Sequence, residues 1–373
     1  MPNAPLFIMV GGFLGAGKTT TVGRLARHYQ WLGKRVVVVT NDQAADLVDT
    51  HTLRSQGLEV GEVAGACFCC NFNELTGVME KMGLQGGDAL PDVVLAEPVG
   101  SCTDLVATVL RPLEKVYNRP LRVAPYAVIL KPSHGLRILG NHGKAGFSPQ
   151  AAYIFKKQVE EADLVLVNRV DELPPAQVAE LTRLVNEQFP GRPVLPVSAG
   201  TGAGFDALLA HLEGGSIIPA GKTMDLDYDV YAQGEADLGW LNSQGSVVSD
   251  SPFAIDALAI GLVREIQALL SARDAETAHL KVTVKGAGAL AVANSISNCT
   301  DPKLSHATGA RADGVELVIN ARVAIDPETL SALVRQGTES AARAVGGRAA
   351  LENLRSFRPG RPVPTHRMPQ PVG

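Results

Sequence analysis

No apolar run in this chain approaches the length of a bilayer span, and no basic stretch followed by an apolar core stands near its start. Membrane-spanning and exported classes are set aside on that ground, and a cytoplasmic location is expected. An excess of positive charge is also missing. The 34 Lys and Arg are outnumbered by 38 Asp and Glu, for a net charge of -4. Nothing electrostatic draws such a chain to nucleic acid or to an anionic membrane, so neither is expected as a partner. Cysteine is scarce. There are 5 in 373 residues, and Cys67, Cys69 and Cys70 fall within four positions. That is not a disulfide framework, and in a reducing compartment it suggests a metal site. Internal repeats are lacking too. The one biased tract is the Pro- and Arg-rich tail, residues 358–373, which is expected to be disordered.

What is present is a composition of 46% apolar and 19% charged residues, ordinary for a soluble globular protein. At 373 residues the chain exceeds one small core, so two domains are expected. Over residues 1–212 buried strands alternate with helical segments, the pattern of a mostly parallel sheet covered on both faces. Residues 213–236 lose the pattern and read as a linker. Residues 237–357 give the order βαββα with a last strand near Leu354 to Phe357, which suggests a smaller ferredoxin-like α+β domain. The expected fold class is therefore α/β, a P-loop NTPase with an added α+β domain. Helices are expected over Gln150 to Ala162, Pro175 to Phe189, Asp256 to Leu270 and Pro327 to Val345. The stretch from Ser133 to Phe147 reads as a loop or insertion.

The strand Leu6 to Val10 runs into Gly12-Phe13-Leu14-Gly15-Ala16-Gly17-Lys18-Thr19-Thr20, and a helical pattern through Val22, Leu25, Ala26 and Trp31-Leu32 follows. A strand, a glycine-rich turn with Gly-x4-Gly-Lys-Thr, and a helix together form a phosphate-binding loop. Glycine lets several backbone N–H groups converge on one anion, and the helix dipole adds to them. Gly12, Gly15, Ala16, Gly17, Lys18, Thr19 and Thr20 are the expected nucleotide contacts. Lys18 reaches the β- and γ-phosphates, and the Thr19 hydroxyl holds Mg2+.

Three further strand ends carry polar motifs. Asn168-Arg169-Val170-Asp171 occupies the place of a guanine-reading Asn-Lys-x-Asp. A carboxylate at Asp171 accepts from the ring N–H and the exocyclic amine of guanine, a pattern adenine does not offer. Asn168 can tie this loop to the phosphate loop, and a backbone N–H at Ser198-Ala199 can meet the guanine carbonyl. Glu97, ending Asp92 to Ala96, takes the position of the acid that acts on Mg2+, and Gly100 that of a γ-phosphate switch. Asp42, after the strand Arg35 to Thr40, is the second carboxylate candidate for catalysis beside Lys18 and Glu97.

Thiolates at Cys67, Cys69 and Cys70 suit Zn2+ and also bind Co2+, and three sulfurs leave a fourth tetrahedral position. A turn is needed to converge them, because neighbours in an extended chain point to opposite faces. The competing reading is a redox-active or merely buried cluster. Cys102, two residues past Gly100, is expected either to approach the site or, as the leading reading, to pack in the core. The histidines, His134 and His142 included, read as surface or core residues.

Together, Gly12 to Thr20, Cys67-Phe68-Cys69-Cys70, Glu97-x-x-Gly100 and Asn168 to Asp171 resemble the CobW-type metallochaperone P-loop GTPases. These are relatives of the nickel-insertion GTPases that serve urease and hydrogenase. The resemblance covers residues 1–212. It implies GTP hydrolysis to GDP, Mg2+ on Thr19 and Glu97, Zn2+ or Co2+ on the three cysteines, and delivery to a client metalloprotein or a cobalamin-related pathway. A second copy of the chain is a candidate partner. Asn41-Asp42-Gln43 stands where the family usually has Asn-Glu-Phe-Gly, and Pro98-Val99 replaces small hydroxyl residues. Three other functions fit the same residues: a P-loop kinase acting on a small metabolite, a nucleotide-bound metal sensor or buffer without turnover, and a GTPase chaperone of a corrinoid enzyme.

Overall fold

Runs of apolar residues with no polar alternation become strands buried on both faces, as parallel sheets require. The computed structural model describes residues 4–41, 48–84, 90–117, 119–140, 148–214, 224–295, 298 and 301–368. Its first sheet has eight strands: β1 (Leu6–Gly11), β2 (Val36–Asn41), β3 (Glu59–Val63), β4 (Val93–Glu97), β5 (Arg122–Val123), β6 (Ala127–Leu130), β7 (Leu164–Val167) and β8 (Val194–Pro196). The order is β3-β2-β4-β1-β6-β7-β8, with β5 beside β1, and these neighbours pair in parallel. Every residue of β1, β2, β4, β6 and β7 is buried.

Among the described residues the α-helices are α1 (Lys18–Trp31), α2 (Val48–Ser55), α3 (Phe72–Met79), α4 (Arg111–Lys115), α5 (Pro132–Leu139), α6 (Pro149–Glu161), α7 (Pro175–Gln188), α8 (Phe205–Gly214), α9 (Tyr228–Ala236), α10 (Ile255–Ser271) and α11 (Pro327–Ala344). Helix α1 buries Val22, Leu25, Ala26 and Tyr29, whereas Trp31 and Leu32 are exposed at its end. The expected loop from Ser133 to Phe147 begins as α5. Pro132 stands at its first turn, where a missing N–H costs nothing, and Ile138 and Leu139 are buried. The rest of that stretch, 141–147, lies outside the described residues, His142 with it.

Two units divide the chain. The first holds Met1–Ala45, Gln56–Tyr231 and Arg361–Gly373; the second holds Asp46–Ser55 and Ala232–Gly360. The division falls inside α9, so the stretch expected as a linker ends in helix. The second unit's sheet, β9 (Gly239–Ala254), β10 (Thr277–Gly286), β11 (Ala289–Ser295), β12 (Lys303–His306), β13 (Arg311–Val323) and β14 (Gly347–Phe357), has the order β12-β11-β10-β13-β9-β14 and is antiparallel throughout. Without β11 and β12 this is a ferredoxin-like βαββαβ sheet; those two strands extend it at the β10 edge. Leu258, Leu262, Val263 and Ile266 of α10 and Leu330, Leu333 and Val334 of α11 pack on Val282, Val284, Leu317 and Ile319 of the sheet in one apolar core.

The tail expected to be disordered is ordered as far as Met368. Its proline-rich composition gives an extended chain with free donors, and those donors pair within the first unit. Thr365 N–H donates to Cys69 O (2.8 Å) and Met368 N–H to Ala107 O (2.9 Å). Among the described residues no helix is long and apolar enough to cross a membrane.

Candidate nucleotide and thiol site

The carboxyl ends of β2, β4 and β1 lie side by side, with Thr40 in register with Glu97 and Met9 with Ala96. Ligands of open parallel sheets bind at such an edge. Between β1 and α1 the backbone turns left-handed at Gly12, Gly15 and Gly17, with φ of 133°, 72° and 105°. At Gly17 a Cβ would stand 2.4 Å from Asn168 Nδ2, so only glycine leaves room there. Lys18 is buried and its Nζ donates to Gly12 O at 3.0 Å, folding the ammonium back over the loop. Thr19 Oγ1 donates to Glu97 Oε1 at 2.8 Å. Thr20 is exposed on the first turn of α1.

These residues fit a nucleoside triphosphate and its magnesium ion. The left-handed glycine turn is an anion nest at a helix N-terminus. A hydroxyl and a carboxylate in contact form an oxygen donor set suited to a hard cation. Asp42 lies outside the described residues.

Asn168, at the end of β7, is buried and bridges two loops. Its Nδ2 donates to Ala16 O (2.7 Å), and its Oδ1 accepts from Ala199 N–H (2.9 Å). Ser198 N–H is also engaged, with Ala203 O, and Ser198 Oγ accepts from Thr201 N–H. Both backbone donors expected to meet a guanine carbonyl are thus spent inside the loop, and Ser198 and Ala199 shape it. Arg24 of α1, unnoticed in the sequence, grips the same loop through Ala199 O (2.8 Å) and Gly200 O (2.6 Å). Asp171 is exposed at the mouth of this edge, and Arg169 pairs with Glu172 at 3.2 Å.

The three clustered cysteines occupy a turn closed by Cys70 N–H and Asn71 N–H on Cys67 O. The turn brings their sulfurs together, at 2.9 Å (Cys67–Cys69), 3.2 Å (Cys67–Cys70) and 3.7 Å (Cys69–Cys70). Hydrogen bonds from the thiols of Cys102, Cys69 and Cys70 hold Cys67 well below the usual thiol range. Its own bonds with Cys102, Cys67 and Cys70 push Cys69 well above it, and Cys70 is pushed up to about 11, mainly by its bond with Cys67.

Asn41 clamps this turn to the end of β2. Its Nδ2 donates to Val63 O (2.9 Å) and Ala66 O (2.8 Å), and its Oδ1 accepts from Phe68 N–H (2.7 Å). The tail covers the other side. Val363 N–H donates to Cys70 Sγ (3.3 Å), Thr365 Oγ1 donates to Cys70 O (3.0 Å), and the His366 ring meets Phe72 edge-on at 5.1 Å. Arg367 then pairs with the buried Asp104 at 2.6 Å. His134 is a core residue: burial, with Lys131 beside it, holds its imidazole well below the usual range, so it is neutral.

A parallel α/β sheet with a phosphate loop at its carboxyl edge defines a P-loop nucleotide-binding protein, and this one also carries a cluster of three thiols that could hold a metal ion. Residues 6–196 match the CobW/HypB/UreG nucleotide-binding domain, and the chain belongs to that family. It is 28% identical over 182 residues to the zinc chaperone YeiR of Escherichia coli, covering 47% of this chain and 49% of that one. It is 24% identical over 236 residues to the zinc chaperone CobW of Pseudomonas aeruginosa, covering 55% and 61%. The chain thus spans about half to three fifths of the length of these relatives. Among solved structures, Zn(II)-bound YjiA GTPase from E. coli aligns over 90% of this chain and 99% of its own, at 15% identity and a TM-score of 0.39.

Proposed function

We propose that this chain is a GTP-hydrolysing metallochaperone that carries Zn2+ or Co2+ on Cys67, Cys69 and Cys70 to a client protein. The observation that carries the reading is the bonding of the thiol turn to nucleotide-sensing strand ends. Asn41 holds the turn from β2, and Glu97 lies beside it on β4. The relatives named as zinc chaperones support Zn2+ as the cargo.

In this reading Lys18 exchanges Gly12 O for the β- and γ-phosphate oxygens, while Asp171 reads the guanine edge and Asn168 holds the base loop to the phosphate loop. Magnesium held by Thr19 and Glu97 would neutralise charge on the phosphate oxygens. A water oxygen bonds to the γ-phosphorus, the bond to the β–γ bridging oxygen breaks and that oxygen departs on GDP, and the water's protons leave on the released phosphate or to solvent. With the γ-phosphate gone, Gly100 and the Asn41 end relax, the sulfurs spread, and the ion passes on.

The test replaces Cys67 and Cys69 by serine together and measures bound zinc, GTP affinity and GTP turnover in the same preparation. The reading expects stoichiometric zinc to be lost while GTP affinity holds. Zinc content equal to wild type would overturn it, and so would a wild-type protein that turns over no GTP with metal present.

A further inference from the structure

A fourth sulfur reaches the triad. Cys102 lies two residues past Gly100 on the chain leaving β4, and it is buried. Its thiol hydrogen-bonds both Cys67 and Cys69. Four sulfurs bound to one zinc ion at about 2.3 Å and tetrahedral angles stand about 3.8 Å from one another. The triad's own separations of 2.9 to 3.7 Å already lie near that value. Cys102 meets Cys67 and Cys69 but lies outside the set of three sulfurs that all stand within 4.8 Å of one another, so a small approach toward Cys70 would bring it to the fourth ligand position.

We infer that Cys102 is the fourth metal ligand, closing Cys67, Cys69 and Cys70 into a four-thiolate site for a divalent ion, and that it is the ligand the nucleotide moves. The inference rests on the metallochaperone reading above and names the group that couples its two halves. Gly100 lies against the phosphate grip: a Cβ there would stand 2.9 Å from Lys18 Nζ. Gln158 of α6 donates to Gly100 O (3.0 Å) and to Cys102 O (2.9 Å), and Cys102 N–H closes a turn on Val99 O (3.0 Å). One buried amide thus holds both ends of the Gly100–Cys102 link, so a shift at Gly100 carries Cys102 with it.

The consequence is a change in coordination number. With Cys102 in place, four sulfurs fill a tetrahedron and no outside ligand enters. With Cys102 withdrawn, three sulfurs remain and the fourth position opens to a ligand from a client. On binding, four metal–sulfur bonds form and each thiol proton still present leaves to solvent. Two features help to offset the charge of the thiolates. Val363 N–H points at Cys70 Sγ, and α3 begins two residues after Cys70 with its positive dipole end toward the cluster.

The experiment uses full-length, reduced protein under anaerobic conditions, titrated with Co2+ in the presence of Mg2+ and a non-hydrolysable GTP analogue. Wild type is expected to bind one ion with the tetrahedral spectrum of a four-sulfur site. Cys102→Ser and Cys102→Ala, made separately to cover a variant that folds poorly, should each lower the sulfur-to-cobalt charge-transfer intensity by about a quarter, one bond of four. With GDP in place of the analogue, wild type should give the three-sulfur intensity. Wild-type intensity in both variants would overturn Cys102 as a ligand while leaving the metallochaperone reading intact. Four-sulfur intensity with GDP would overturn its movement. A wild-type protein that binds no cobalt would overturn the metallochaperone reading itself.

Discussion

Replacing Asn41 by alanine removes the clamp between the nucleotide edge and the thiol turn. Three hydrogen bonds are lost, those to Val63 O and Ala66 O and that from Phe68 N–H, at 2.9, 2.8 and 2.7 Å. Asn41 and Phe68 are buried, so water does not readily replace them. At a net contribution near 1 kcal/mol each, the loss is about 3 kcal/mol. It falls on the arrangement that brings the sulfurs together and barely touches the sheet, whose strands keep their own pairing. Zinc affinity should therefore weaken by on the order of a hundredfold, because the competent turn is populated less. Competition with a chromophoric chelator measures this directly, and a urea titration followed by far-UV circular dichroism shows whether the sheet survives. Zinc affinity within about threefold of wild type, with the sheet intact, would refute the clamp.

Three other outcomes follow from the geometry. Asp171→Ala should erase the preference for GTP over ATP in competition binding, and an unchanged preference would mean that the base is read elsewhere. Burial, with Asp104 nearby, pushes the Glu161 carboxyl up to about 8, against the donors Val106 N–H and Thr103 Oγ1. The fold therefore favours the protonated acid, and this stabilisation is complete below the unfolded-state value and is lost as pH rises toward 8. The loss is on the order of 5 kcal/mol, spread between the ordinary carboxyl value and about 8, so denaturation midpoints should fall from about pH 5 to about pH 8 in wild type, level off above that, and stay nearly level throughout in Glu161→Gln; parallel curves would contradict this. Arg367→Ala leaves Asp104, 2% exposed, with Tyr228 as its remaining partner. Since Arg367 is 36% exposed, the expected cost is about 1–3 kcal/mol, with faster reaction of Cys70 toward a thiol reagent as the tail lifts; an unchanged reaction rate would show that the tail does not shield the sulfur.

The first unit's sheet was legible because its strands are short apolar runs buried on both faces, and its phosphate loop because glycine spacing and strand–helix context coincide. The ferredoxin-like order of the second unit was legible from period alone. What escaped the sequence depends on contacts between distant segments. Helix α5 was hidden by glycine, proline and histidine, residues that mark loops until Ile138 and Leu139 find the core. Strand β12 is a short edge strand with little apolar alternation, and β11, paired between β10 and β12, is a run of small residues with a weak pattern. The tail's order comes from backbone donors meeting Cys69 O and Ala107 O, and composition does not encode such a meeting. Asn41 stood in view at a strand end, yet its three bonds required knowing where residues 63–68 return. Cys102, two residues past Gly100, was open to approaching the site, but its spacing alone does not place it against residues some thirty positions earlier. Arg24 gave no signal, since its partners are backbone carbonyls.

The most direct test is a zinc competition titration of one protein preparation in three states: with a GTP analogue and Mg2+, with GDP and Mg2+, and without nucleotide. If the phosphate grip governs the sulfurs, the ion is held at least about tenfold more tightly with the analogue than with GDP, a coupling of about 1.4 kcal/mol. Three superimposable titration curves would contradict it.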